Sequence, residues 1–238
     1  MEYKLMNTGR SSNRGYTRVV RNERMTAFAG AILFVLIVIE LFITANLHAL
    51  ISVHIFVGVL LSGPLIVKMC STGYRFFRFY TRSAVFVQKG PPNIWLRLLA
   101  PFLVIITVLV FISGFGLAVV GPTHTGLFFK IHAVSVTLWL PLIAVHIYAH
   151  IRKVPRQIAN DWSKKSEFRV PGRASRIGIN SSALVVGFIA AIVMIPVSTP
   201  WRKWHIHGGL PSPLALGIVA AVFAVLISIP LLRKTSKR

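Results

Sequence analysis

The sequence predicts an all-helical integral membrane protein with six transmembrane helices. Apolar residues make up 55% of the 238-residue chain, while charged residues make up only 13%. A soluble domain normally carries about 25% charged residues. Six stretches of about 18 or more almost uncharged residues are long enough to cross a bilayer as helices. They lie near residues 26–46, 48–68, 99–120, 128–151, 182–199 and 213–232.

Two connections between the predicted spans are very short. Residues 46–48 join spans one and two, and residues 121–124 join spans three and four. Short connections favour antiparallel neighbours, so the N-terminal four spans are expected to form a bundle. The chain is accordingly divided into a basic tail at 1–25, a four-helix core at 26–151, a basic loop at 152–181 and a two-helix extension with its tail at 182–238.

The distribution of basic residues predicts the orientation. The chain holds 27 Lys and Arg against 5 Asp and Glu, for a formal net charge of +22. Connections on the cytoplasmic side of a membrane carry the excess of Lys and Arg. A multi-pass protein of the cell membrane with both termini in the cytoplasm is therefore expected. Twenty-four of the 27 bases lie at 1–25, 68–97, 152–176 and 233–238, and the other three are Lys130, Arg202 and Lys203.

The excess of positive charge also raises the question of nucleic acid. A nucleic-acid binder spreads Lys and Arg over a soluble fold or a tail, whereas here the bases flank long apolar stretches. The segment 74–80 interleaves bases with aromatic side chains, which is typical of the interface between membrane and water. Anionic membrane lipid is therefore the expected partner, and nucleic acid is not.

Several classes of site are missing from the sequence. Cys70 is the single cysteine, which excludes intrachain disulfides and any zinc or iron–sulfur site built from the cysteines of this chain. There is no glycine-rich phosphate loop and no Ser–His–Asp candidate. The two basic connections are also too short to hold a flavin domain, so a complete oxidoreductase is not expected from this chain alone.

The histidines carry the chemical signal. His54 and His132 each lie about two turns into a span that begins on the outer side, roughly 9 Å inside the helix end. A histidine at such depth is usually functional. Two imidazoles at equal height on facing helices suit the two axial positions of a haem iron. Zinc would need three or four ligands, and at this depth only Glu40 could add one.

A second spacing strengthens this interpretation. His146 follows His132 by 14 residues, on nearly the same helix face and about 21 Å along the axis, and the same step from His54 leads to Lys68. In topology and ligand spacing, residues 26–151 resemble the membrane b-type cytochromes, whose cytochrome b subunits stack two haems between their second and fourth helices. The resemblance implies a four-helix haem-binding core with one or two haem b groups, axially ligated by His54, His132 and His146.

Lys68 departs from the pattern of that family, and three roles stay open for it. It could ligate iron as a neutral amine, extend to the cytoplasmic headgroups or pair with a haem propionate. Gly58 lies one turn from His54, where it could give clearance to a haem or let helices pack closely. Glu40 shares the depth of the outer pair. It could fix a ligand tautomer, relay protons or stay protonated against the backbone.

The other histidines carry weaker signals. His48 and His124 lie in outer loops, where they could contact propionates or simply be solvated, and His150 is expected at the membrane interface. The pair His205 and His207 has the spacing of a metal site but lacks a third ligand in sequence. An aromatic and basic belt that docks a redox partner would explain it equally well.

Three functions follow from these observations. The first is a membrane b-type cytochrome that transfers electrons between the quinone pool and a redox partner. It would be the electron-transfer subunit of an oxidoreductase whose other centres lie on a separate soluble or membrane subunit. The alternative is a proton-coupled transporter that uses Glu40 and the intramembrane histidines. A scaffold that binds a partner through its basic loops is a third, but it leaves the matched histidine depths unexplained.

Overall fold

A computed structural model describes residues 2–90, 93–165, 169–204 and 212–235, with side chains from residue 17 to residue 232 within these ranges. In this part of the chain the secondary structure is helical, without strands. The helices are α1 (Glu2–Ala45), α2 (Leu47–Tyr80), α3 (Ala84–Gln88), α4 (Ile94–Val120), α5 (Gly126–His150), α6 (Lys153–Trp162), α7 (Arg173–Val193), α8 (Ile195–Ser198), a 3₁₀ helix (Thr199–Lys203) and α9 (Pro213–Thr235).

Six of these helices are long and apolar enough to cross a membrane, which confirms the predicted fold class. Their outward-facing side chains are mostly large and apolar, as expected for surfaces that contact lipid rather than water. The spans are Thr17–Ala45, Leu47–Tyr80, Ile94–Val120, Gly126–His150, Arg173–Val193 and Pro213–Leu232.

The helices are longer than the apolar stretches that predicted them. α1 continues through the basic tail, α2 runs on through the aromatic and basic segment to Tyr80, and α7 begins at Arg173. Hydropathy identifies only the apolar part of a helix, which can lie in the hydrocarbon core of a bilayer. The helical backbone hydrogen bonds continue beyond that part. The connection expected at 46–48 is reduced to Asn46, and the non-helical backbone angles in α2 are at Leu50 (φ −115°, ψ 18°).

The fifth span ends earlier than predicted. The sequence suggested one helix over 182–199, but α7 ends at Val193 and is followed by α8 and the 3₁₀ helix. Pro196 and Pro200 are the second residues of these two short helices and lie in their first turns. A proline has no backbone N–H and is best tolerated in a first turn, so each proline favours a new helix over continuation of the old one.

The described chain forms two compact units. The first unit comprises Met1–Val35, Gly63–Pro91 and Arg152–Val186, and the second comprises Leu36–Ser62, Pro92–Ile151 and Gly187–Arg238. These units take pieces from several of the segments that the sequence suggested as domains. The proposed division at 25, 151 and 181 therefore stays a prediction.

Polar side chains join α1 and α2 within the first unit. The hydroxyl of Thr26 donates to that of Ser71 over 2.9 Å, and the amide of Asn22 donates to the Ser71 carbonyl over 3.0 Å. Inside a membrane bundle such hydrogen bonds add to the packing of small residues. They fix the two helices against each other within this unit.

In the second unit, α5 packs against both α4 and α9. The indole of Trp139 on α5 donates to the Thr107 hydroxyl of α4 over 2.9 Å. The ring of Phe128 lies directly over Gly116, where a Cβ atom would have no room. Small residues let membrane helices approach closely, so α4 and α5 pack tightly at this point.

Candidate functional site

The second unit brings the two outer histidines together. The ring centroids of His54 on α2 and His132 on α5 lie 6.2 Å apart, with their planes at 71°. The two side chains lie about two turns from the starts of their helices, and the fixed helix rise of 1.5 Å per residue gives them matching heights. Glu40 on α1 is the third member, and these three residues are called the histidine site below.

The imidazole of His132 is held by α4. Its Nδ1 lies 3.1 Å from the Val110 carbonyl oxygen and 3.1 Å from the Ser113 hydroxyl. Ser113 itself donates to the Leu109 carbonyl over 2.6 Å. With that hydroxyl proton used, Nδ1 is assigned as the N–H that donates to Val110. The lone pair of His132 then lies on Nε2, which is the atom that a metal would bind.

The imidazole of His54 is held by α1. Its Nδ1 contacts Oε1 of Glu40, and both side chains are largely buried, at 25% and 16% exposed. Within the described chain, neither oxygen of the Glu40 carboxyl has another hydrogen-bond partner. A carboxylate against one ring nitrogen of a histidine fixes the tautomer and makes the other nitrogen a stronger ligand. In His54 that other nitrogen is again Nε2.

These residues fit the axial ligation of a haem. Two metal–imidazole bonds of about 2 Å each, with the ring centres about 1 Å beyond the nitrogens, separate the centroids by about 6 Å. The observed separation is 6.2 Å. Among the described residues, no three His, Cys, Asp or Glu side chains come together as a metal site. A metal whose remaining ligands come from a macrocycle therefore suits this donor set better than zinc does.

Two glycines near the site have different surroundings. A Cβ atom on Gly114 would lie 3.2 Å from Cε1 of His132, so this glycine gives the imidazole its place against α4. A Cβ atom on Gly58 would meet nothing within 4 Å in the described part of the chain. Packing between the described helices therefore explains Gly114 but does not explain Gly58.

The residues expected at a second haem are divided between the two units. Lys68 belongs to the first unit, where its amine donates to the Thr26 carbonyl over 3.4 Å. A Cβ atom on Gly30 would lie 2.6 Å from the amine nitrogen, so this glycine opens the notch that Lys68 occupies. His146 belongs to the second unit and stacks on His150, with ring centroids 4.6 Å apart. A second haem between Lys68 and His146 stays a prediction.

The structure gives different positions to the other histidines that were expected on the outer side. Nδ1 of His124 lies 2.9 Å from the hydroxyl of its neighbour Thr123, and this side chain is exposed. His48 lies in the first turn of α2, not in a loop. His205 and His207, whose spacing suggested a metal pair, lie outside the described residues.

The first unit contains a buried charge cluster that the sequence did not predict. The carboxylate of Asp161 on α6 accepts hydrogen bonds from Arg24 at 2.7 Å and from Arg176 at 2.5 and 3.1 Å. All three residues are at most 5% exposed. Burial alone would raise the pKa of Asp161, but the hydrogen bonds and charges of Arg176 and Arg24 outweigh it and hold the pKa below its usual value of 3.8.

This cluster corrects one part of the charge argument. Arg24 and Arg176 belong to the basic segments expected to contact anionic lipid, but their guanidinium groups are buried against Asp161. The rarity of acids was the available signal, because an acid is conspicuous in a chain with only 5 of them. The sequence also did not predict that a second acid, Glu23, is buried, with 7% of its surface exposed.

Comparison with protein families, with curated proteins and with solved structures gives no match for this chain.

Proposed function

We propose that this protein is a membrane b-type cytochrome, in which His54 and His132 hold haem b and pass electrons between the quinone pool and a redox partner. One observation carries the proposal. The two imidazoles lie at the ring separation that axial ligation needs, and each has its Nδ1 turned to a partner on a neighbouring helix. Both Nε2 atoms are thereby kept for a metal.

The protein contributes ligand basicity and burial. The Val110 carbonyl accepts a hydrogen bond from Nδ1 of His132 and fixes that ring against α4, while Glu40 orients the ring of His54 from α1. When bound, haem would supply reversible one-electron exchange at its iron. Both rings are partly buried among the helices, and a low local dielectric strengthens the hydrogen bonds that orient them.

Gly58 supports the same proposal. It lies one turn from His54 on α2, and no described side chain packs where its Cβ atom would be. A flat macrocycle beside α2 would need such a clearance. We therefore assign Gly58 to cofactor clearance, and we assign Gly114 to the support of His132.

The orientation and the partners in this proposal rest on the distribution of charge and on the lengths of the connections between spans. The asymmetry of Lys and Arg supports a cytoplasmic location for both termini and the outer half of a cell membrane for the histidine site. Connections of this size leave no room for a flavin domain. A quinone and a separate oxidoreductase subunit are the expected partners.

A pyridine haemochrome assay with haem-to-protein stoichiometry tests the proposal. The protein would be produced in cells that make haem and purified in a mild detergent. We expect a b-type spectrum with one or two haems per chain and a reducible Soret and alpha band. A well-folded protein without these bands would refute the cytochrome.

A proton-coupled transporter is the second candidate, because Glu40 contacts His54 within a span. A carboxylate beside an imidazole is a common step in a proton path. Liposomes that contain haem-free protein distinguish the two functions. Uptake of a solute driven by a proton gradient would favour transport, and its absence together with a haem spectrum would favour the cytochrome.

A further inference from the structure

We propose that the first unit contains a site for the headgroup of an acidic phospholipid, built from Arg75, Lys89 and Lys153 around the carboxylate of Glu23. This site is independent of the haem proposal. The four residues come from α2, the end of α3, the start of α6 and α1, respectively. They are called the cation cluster below.

Glu23 gathers the three cations. Its Oε1 lies 3.8 Å from the Arg75 guanidinium and 3.7 Å from the Lys153 amine, and it also contacts the amine of Lys89. The carboxylate itself is buried, with its side chain 8% exposed. Its second oxygen accepts from the Gln157 amide over 3.4 Å. A buried acid thus fixes cations from three separate helical segments at one point.

The cation cluster has more positive charge than its acid can balance. Three cations against one carboxylate leave a formal local charge of +2. The cationic side chains are 38%, 43% and 51% exposed, so each still presents a face to its surroundings. A phosphate has the charge and the acceptor oxygens that such a group of Lys and Arg donors can bind.

The neighbouring side chains favour lipid as the source of that phosphate. Phe76, Phe77 and Tyr80 lie on the same helix as Arg75 and are 63%, 64% and 55% exposed. Tyr74 packs edge-on against Phe86 of α3, with ring centroids 5.8 Å apart. Exposed aromatic rings beside cations at the end of a span are typical of the headgroup region, where anionic lipids bind basic pockets.

The Asp161 cluster shows by contrast what a closed site looks like. There the two guanidinium groups are 6% and 2% exposed, and both point at the carboxylate. That cluster can take no further ligand without opening. Like the Asp161 cluster, the cation cluster is centred on a buried acid. Its cationic side chains, however, are exposed and can bind an additional anion.

Lipid binding to variants tests this inference. The full-length protein in detergent would be titrated with phosphatidylglycerol, with phosphatidylcholine and with inorganic phosphate, and bound lipid would be counted by native mass spectrometry. The variant has Arg75→Gln, Lys89→Gln and Lys153→Gln. The matched control has Lys164→Gln, Lys165→Gln and Arg169→Gln, which removes the same charge from exposed positions outside the cluster.

We expect wild type and control to bind phosphatidylglycerol equally and well above phosphatidylcholine. Each cation removed from the cluster should weaken binding about fivefold, since a Lys or Arg near anionic lipid contributes about that factor. Equal losses in variant and control would overturn the site, because only total charge would then matter. Binding of inorganic phosphate as tight as that of the lipid would also overturn it, in favour of a free-anion site.

A second variant keeps the test decisive if the triple substitution does not fold. Lys89→Arg with Lys153→Arg preserves both cations and changes only the shape of the donors. We expect it to retain selective binding of phosphatidylglycerol. Loss of selectivity in this folded variant would contradict a headgroup site that rests on positive charge at these positions.

Discussion

Two acids in this protein, Asp161 and Glu40, have opposite surroundings. In the first unit, Asp161 accepts three hydrogen bonds from two buried arginines, and its charge is fully compensated. In the second unit, Glu40 contacts a single imidazole and has no other partner in the described chain. A carboxylate with complete partners suits a structural role, whereas one directed at a single titratable ring suits a function. The difference separates a region that holds the fold from a region that is available for chemistry.

The largest expected effect comes from removing a ligand. His54→Ala or His132→Ala should abolish the bis-imidazole haem spectrum, because each variant lacks one of the two imidazoles that would hold the iron. The measurement is the reduced-minus-oxidised spectrum of the purified variant. His124→Ala, in an exposed loop position, is the control and should leave the spectrum intact. An unchanged spectrum in either ligand variant would disprove the assignment of that histidine.

The next largest effect concerns the Asp161 cluster. Asp161→Asn should lower the free energy of unfolding by about 3–5 kcal/mol, because two buried guanidinium groups lose their counter-charge. The free energy of unfolding is measured by denaturant titration in detergent, with circular dichroism as the signal. Arg169→Gln at an exposed position is the control and should change stability by less than about 0.5 kcal/mol. A neutral result for Asp161→Asn would mean that the cluster does not hold the first unit together.

The same carboxyl makes stability depend on pH. Because its pKa in the folded protein is below the usual value of 3.8, the stabilisation is complete at pH values above about 4 and is lost as the pH falls through the lowered pKa. Thermal unfolding of the wild type at pH values between 6 and about 3 should therefore show a decrease that Asp161→Asn largely lacks. Parallel pH profiles for the two proteins would contradict this linkage.

A smaller and more specific effect is expected at Glu40. Glu40→Gln should keep the fold but weaken haem binding by about 10–100-fold, as is typical when the partner of a ligand histidine is removed. The midpoint potential should rise, because the His54 imidazole becomes a weaker donor to oxidised iron. Redox titration and haem-transfer measurements report the two changes. If neither changes, Glu40 does not act on His54, and the proton-path alternative gains weight.

The smallest effects distinguish the two glycines. Gly114→Ala should displace the His132 ring, because its new Cβ atom would lie 3.2 Å from Cε1. Gly58→Ala should leave the haem-free protein as stable as the wild type, because its Cβ atom meets no described neighbour, but it should weaken haem binding. Stability and haem affinity are measured for both variants. If the haem-free Gly58→Ala protein is destabilised, the role of Gly58 is helix packing and not cofactor clearance.

The meeting of His54 and His132 could be predicted from the sequence because a helix has a fixed rise. Once both spans were known to start on the same side, equal numbers of residues gave equal heights. The contact of Glu40 with His54 followed from the same counting. What the counting could not give was the partner of each ring nitrogen. Val110, for example, accepts from His132 through its backbone carbonyl, which has no signature in sequence.

Other features could not be predicted for a different physical reason. Hydropathy describes how well a segment suits hydrocarbon, but it does not say which connection folds back on a helix end. α6 is a polar ten-residue helix, and its Asp161 pairs with Arg24 from the other end of the chain. The close contact between Gly30 and the Lys68 side chain could not be predicted either. Which side chain packs against a glycine depends on how the two helices are placed together.

The pairing of Arg24 with Asp161 also determines when the first unit can assemble during synthesis. The two residues are 137 positions apart, and synthesis at about 5–20 residues per second separates them by roughly 7 to 27 seconds. During that interval the ribosome delivers the second, third and fourth spans while Arg24 has no Asp161 to bind. The buried pair can therefore form only once α6 has emerged. The first unit can close only after most of the chain has entered the membrane.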